Sequence, residues 1–182
     1  MKKQVEKNMA TRLVNPGMLV LVTASHRAHL TITPCAWHMP LSKEPPTLGI
    51  ALSKGHFSSE LIKESQEFII NVPTWNLLDK VITCGKISGR DFDKFKEAGL
   101  GSQKPTVLQN TPKIAECIGH LECMLKSINE VGDHFLFVAE VVNVEVEGDF
   151  FKGGFWDTTK TDLLFHLGGK FFFKSSAYSE AK

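Results

Sequence analysis

Residues 120–146 constrain the fold more than any other part of the 182-residue chain. Leu121, Cys123 and Leu125 alternate with Glu122, Met124 and Lys126. Phe135 to Val142 is nearly all apolar, and beyond it Val142, Val144 and Val146 alternate with Asn143, Glu145 and Glu147. Period two marks a strand with one buried face; an unbroken apolar run marks one buried on both. NEVGD, residues 129–133, supplies the hairpin connection. Two long antiparallel strands alone are barely stable in water, so more strands must close around them.

The rest of the chain supplies them. Met18–Thr23 (MLVLVT) is a core strand after the turn Asn15-Pro16-Gly17; Leu30–Pro34, Thr47–Leu52 and Glu67–Val72 add more. Pro40, Pro45 and Pro46 read as a loop. Helices fit only short stretches: Ser58–Ser65, Thr74–Cys84, and Asp91–Ala98 with Asp91 as its cap and Gly99 as its stop. Gly99 to Pro112 reads as loop, and HLGGKFFFKSSAY as a glycine turn followed by an aromatic run. These elements predict one domain over residues 1–182: mostly β, an antiparallel barrel with small helices, not a parallel doubly wound sheet.

Composition narrows the function. With 21 basic and 20 acidic residues the formal net charge is +1, which leaves no basic footprint for nucleic acid. No apolar run approaches a membrane span, and no signal-peptide core follows the charged N-terminus, so a cytoplasmic protein is expected. Cys35, Cys84, Cys117 and Cys123 form no CxxC pair, so no metal site is expected. On one unbroken strand Cys117 and Cys123 would lie about 20 Å apart, too far for a disulfide. GxGxxG, GxxxxGK[ST], GxSxG and HExxH are all absent.

SKGHFSSELI, Ser53–Ile62, is the richest polar stretch. It follows a predicted strand and opens a predicted helix, whose N-terminal N–H groups and partial positive charge favour a phosphate. Lys54 and His56 would approach from the turn, Ser58 and Ser59 from the helix. The plainer alternative is a serine cap with exposed polar neighbours. Trp37 lies in the proline-bounded segment PCAWHMP, where it serves either as a core residue or as the edge of a planar cofactor. Lys94 beside Phe92 and Phe95, and His134 at a strand start, are open to a structural or a site role.

The ordered set of motifs carries more than any one of them. NPG-strand-VT, Thr-x-Thr before Ala-Trp, PPxLxIxL, KGHxSSxxI, EFIINVP, CGxxSGRxxDKF, GDHxxxxxEV and HLGG follow one another over about Leu13 to Phe173. In this order the chain resembles the flavin reductase-like proteins with the FMN-binding split-barrel fold, and most closely the flavoredoxin branch. The resemblance implies a six-stranded antiparallel Greek-key barrel and a homodimer with one FMN per subunit at or near the interface. Carried onto this sequence, Thr31, Thr33, Ala36 and Trp37 would line the flavin. Ser53, Lys54, His56 and Ser58 would hold its phosphate end; Lys94, His134 and His166 would complete the pocket. Threonine at 31 departs from the asparagine frequent in the family. The implied activity is FMN-dependent hydride or electron transfer with NAD(P)H as donor, as in flavin reductases. The alternative is a flavoredoxin-like carrier with tightly bound FMN, reduced by a ferredoxin or another redox protein. A barrel binding another ligand, such as haem or a pyridoxal-type phosphate, is the third reading.

Overall fold

The computed structural model describes residues 1–176; Ala177 and Tyr178, the end of the predicted aromatic tail, lie outside the described residues. In chain order the strands are β1 (Gly17–Met18), β2 (Val20–His26), β3 (His29–Cys35), β4 (His38–Lys43), β5 (Pro46–Ser53), β6 (Glu67–Val72), β7 (Ser102–Gln103), β8 (Lys113–Ile114), β9 (Gly119–Val131), β10 (His134–Val146), β11 (Phe151–Lys152), β12 (Phe155–Trp156), β13 (Leu164–Gly168) and β14 (Phe171–Lys174). The helices are α1 (Ala10–Val14), α2 (Phe57–Ser65), α3 (Leu78–Lys86) and α4 (Lys94–Ala98).

Seven of the strands form one sheet in the order β3-β2-β6-β9-β10-β5-β4, with every pairing antiparallel. Its two outermost strands are consecutive in the chain, with only Ala36 and Trp37 between β3 and β4. They are two halves of one bent strand, so the ring closes, and counted that way it has six strands. Ala51 N–H donates to Trp37 O at 2.8 Å across the bend. β2, β3–β4 and β5 pair in succession, and β6 returns beside β2, which is the Greek-key order.

The long hairpin is longer than its sequence pattern. β9 and β10 pair from His134↔Val131 to Val146↔Gly119, so residues 129–131 belong to the strand and only Gly132-Asp133 turn. Gly132 takes φ +56°, the left-handed region that such a tight turn needs. The MLVLVT run is buried on both faces. Val20, Val22 and Ala24 point into the barrel with Phe68, Phe137 and Cys123. Leu19 and Leu21 point outward, under α3 and α4, with Ile32, Val81 and Phe95. Cys117 lies ahead of β9 rather than on it, and all four cysteines are buried and free.

Two local expectations give way. Pro40 lies inside strand β4 and Pro46 opens β5, so only Pro45 of the three prolines is in the turn. Pro40 pairs with Leu48 at a register shift between Pro40 and Ser42, and an outer strand at an irregularity is where a residue without an N–H is tolerated. Helix α4 starts at Lys94, capped by Asp93, whose carboxylate accepts from the N–H groups of Phe95 and Lys96. Asp91 lies two residues too early to reach them. Gly99 ends the helix at φ +59°, as expected. Among the described residues no helix is long and apolar enough to cross a membrane, and no group of three or more His, Cys, Asp or Glu could hold a metal ion.

Away from the bend, buried carboxylates hold the 104–112 loop. Glu122, with no exposed surface, accepts from the N–H groups of Thr106, Val107 and Leu108 at 2.7–2.8 Å and from Asn143. Burial works against its charge, but the four donors outweigh it and hold the carboxyl below its ordinary value. Replacing Glu122 with Ala leaves those N–H groups unpaired; urea unfolding followed by circular dichroism is expected to show a loss of about 3 kcal/mol. In the wild type this contribution is complete above about pH 4.5. It is lost as the pH falls through the depressed folded value.

Candidate functional site

The bend at Ala36-Trp37 leaves regular pairing and opens a cleft of about 590 Å³. Its floor is Pro34, Cys35 and Ala36 from the end of β3, with Ala51–Ser53 from β5. Val81 and Ile82 of α3 form one wall; His166, Gly169 and Phe172 of the β13–β14 hairpin overhang it. A second cavity of about 360 Å³ continues from it, sharing Pro34, His56, Gly85 and Lys86. This end is more polar, lined by Thr31, Thr33, Ser88, Lys94 and the start of α2 at Phe57. Neither lining contains an Asp or Glu.

Lys94 organises the polar end. It is 6% exposed, and its Nζ donates to Ile32 O and Cys84 O, both at 2.7 Å. It thereby ties β3 to α3 and keeps a third N–H to offer. Burial lowers its pKa. Burial of part of the His56 ring, then the charges of Lys94 and His134, push that imidazole below its ordinary value, so it is neutral at neutral pH. Burial also raises the Cys35 thiol, to about 12, and it stays protonated on the cleft floor with Trp37 O as acceptor at 3.5 Å.

The structure brings most of the sequence candidates together. Ala36, Trp37, Ser53, His56, His134 and His166 line the larger cavity. Thr31, Thr33, His56 and Lys94 line the smaller one. The His134 ring lies 4.8 Å from the Trp37 ring at 31°, and its Nδ1–H donates to Asp133 at 2.6 Å. His166 Nε2 donates to Gly169 O at 3.1 Å, across the hairpin turn.

Two candidates fall elsewhere. Lys54 lines neither cavity; its ammonium pairs with Glu130 on the β9–β10 hairpin. Ser58 is fully buried, and its hydroxyl accepts from Thr33 Oγ1 at 3.0 Å. The serine-cap alternative also fails. The cap position is His56, and Ser59 Oγ donates to Ser53 O at 2.9 Å. The two hydroxyls lock α2 to the barrel, while its first turn presents N–H groups without intrahelical acceptors. The sequence reading missed Lys86, which lines both cavities, and Asn15, which touches Trp37. The glycines of CGKISGR were the available signal for the first; nothing local marked the second.

A family model described as "Flavin reductase like domain" matches residues 12–171. The chain belongs to the flavin reductase-like family. An uncharacterized protein of Archaeoglobus fulgidus is 36% identical over 141 residues, 78% of each chain. Among solved structures, the flavoredoxin of Methanosarcina acetivorans superposes with a TM-score of 0.88 at 25% identity, covering 100% of this chain and 95% of that one. The FMN-binding domain of a flavin reductase-like enzyme from Shewanella baltica gives 0.82 at 27% identity, covering 98% and 96%. The split-barrel fold and the relation to flavoredoxins and flavin reductases expected from the motif order are thus present.

In this member of the flavin reductase-like family the loop after α3 packs tightly on β3. A Cβ at Gly89 would fall 2.2 Å from Thr31 Oγ1 and 2.7 Å from Thr31 Cβ. Gly55, on the other rim, faces open space. Gly89→Ala is expected to lower the melting temperature by about 3–8 °C and to speed amide exchange over residues 85–90, whereas Gly55→Ala changes neither. Calorimetry and exchange mass spectrometry on the pair check this.

Proposed function

We propose that the cleft binds FMN, with the ring system in the larger cavity and the phosphate in the smaller, and that the protein is an FMN-dependent oxidoreductase taking hydride from NAD(P)H. The observation that carries this reading is the join of the two cavities. An apolar slot floored by Pro34, Cys35 and Ala36 runs, through His56 and Lys86, into a polar end with a lysine, hydroxyls, a helix N-terminus and no carboxylate. That donor set suits a flat heterocycle carrying a phosphate monoester.

Bound FMN supplies the hydride and electron chemistry. The chain's own residues bind and orient it. The first turn of α2, Ser88 and the third N–H of Lys94 hold the phosphate, in place of Lys54 and the Ser58 hydroxyl. Trp37 and His134 form one side of the slot, and Phe172 with the β13–β14 turn shields it from water. Leu13 and Leu41 are exposed, at 71% and 44%, and we assign them to a contact with a second copy of the chain. In the FFF run Phe172 turns inward and Phe171 and Phe173 outward, at 58% and 39% exposed, which offers a further apolar contact.

The test is a visible spectrum of the protein with FMN, followed by anaerobic addition of NADH and then NADPH. Bleaching within seconds is expected. A flavin spectrum that persists with both donors overturns the nicotinamide step and favours the carrier reduced by a redox protein; failure to bind FMN overturns the site. Lys94→Met is expected to weaken FMN about tenfold more than riboflavin, and Lys54→Ala to leave both unchanged, by fluorescence titration.

A further inference from the structure

Trp37 is a partition. Its side chain is 40% exposed, yet it borders three cavities. One is the cleft. The second is an outer groove of about 300 Å³ lined by Val14, Met39 and Leu136. The third is a hole of about 140 Å³ beside Arg12 and Gly168. An indole with open space on several sides needs something to hold its plane. His134 covers one face. The other restraint is Asn15, the residue that ends α1.

Asn15 reaches both halves of the bend. With its amide oxygen toward the indole it accepts from Trp37 Nε1–H at 2.6 Å, and its amide nitrogen donates to Ala36 O at 3.3 Å. The reverse orientation would set oxygen against oxygen and donor against donor. Gly17 leaves room for this: a Cβ there would fall 2.8 Å from the Asn15 amide and 3.0 Å from Ala36 O. One residue on, His38 Nε2–H donates to Met18 O at 2.8 Å, so the chain from Asn15 to Met18 is laced along the bend. We infer that Asn15 is a positioning residue: it fixes the Trp37 indole as the wall between cleft and outer groove, and so sets the width of the slot. Without it the indole loses the hydrogen bond at its Nε1–H and is free to turn toward the outer groove. The consequence for flavin rests on the function proposed above; the indole lock itself does not.

The apo protein tests the lock. The sequence has three tryptophans, so three indole N–H resonances are expected, with that of Trp37 identified by its loss in Trp37→Phe. In the wild type this N–H is expected to exchange at least about tenfold more slowly than free indole, despite the exposure of the side chain. Asn15→Ala removes that protection, and Asn15→Asp, which keeps the indole acceptor but sets an oxygen against Ala36 O, retains part of it. Should Asn15→Ala fail to fold, Gly17→Ala crowds the same amide and is expected to speed exchange. FMN titration then gives a cycle. Asn15→Ala raises the Kd about tenfold, the scale of one hydrogen bond, and adds nothing once Trp37 is Phe. Fast exchange in the wild type, unchanged exchange in Asn15→Ala or Gly17→Ala, or an undiminished effect of Asn15→Ala in the Trp37→Phe background overturns the assignment. A wild type that protects the indole but does not bind FMN upholds the lock and overturns the flavin reading.

Discussion

One strand has to serve both edges of the sheet. β3 pairs with β2 and β4 pairs with β5, yet only Ala36 and Trp37 separate them. Closing the ring this way removes the free edges that an open seven-stranded sheet would present. The bend it requires takes two residues out of the ladder, and their polar groups must be satisfied by other means. Ala51 N–H and Cys35 Sγ–H supply Trp37 O, and the Asn15 amide supplies Ala36 O and the indole. The cleft lies there because that is where the backbone departs from regular pairing.

Charge is distributed in the same spirit. At the bend the two joined cavities carry Lys86, Lys94 and Lys170 and no carboxylate. Elsewhere buried acids tie down the long loop before β9. Glu67 accepts from the N–H groups of Asn110 and Thr111, and Glu122 from Thr106, Val107 and Leu108. Glu145, held at about 2 by its bonds with Lys113 and Thr106, completes that network. A buried acid surrounded by donors rigidifies; a buried lysine with one free proton, like Lys94, is suited to an anion.

The parts of this arrangement that were legible in the sequence are those set by local periodicity. The β9–β10 hairpin, the doubly buried β2, the strand Glu67–Val72 and the αL stop at Gly99 follow from side-chain alternation or from backbone freedom at one residue. Errors gathered where a neighbour distant in sequence decides. Pro40 was read as a loop because the proline rule is local, whereas its place in an outer strand at a bulge depends on β5. Lys54 stands in the phosphate-like stretch, but Glu130, seventy-six positions away, draws it aside. Lys94, by contrast, keeps the pocket place that the motif order implies, because α4 folds it under β3 and α3.

The sequence by itself determined which segments alternate, where the chain must turn, and which polar stretch opens a helix, because each depends on the φ/ψ and side-chain period of adjacent residues. The order of its motifs also carried the family. Only the tertiary structure decided which of the candidate side chains share the cleft: it keeps Lys94 there and draws Lys54 away, brings in Lys86 and the start of α2, and sets Asn15 behind Trp37. Those choices turn on where burial leaves a donor unpaired, and burial is created only when the ring closes and brings residues 15, 37, 94 and 134 to one end of it.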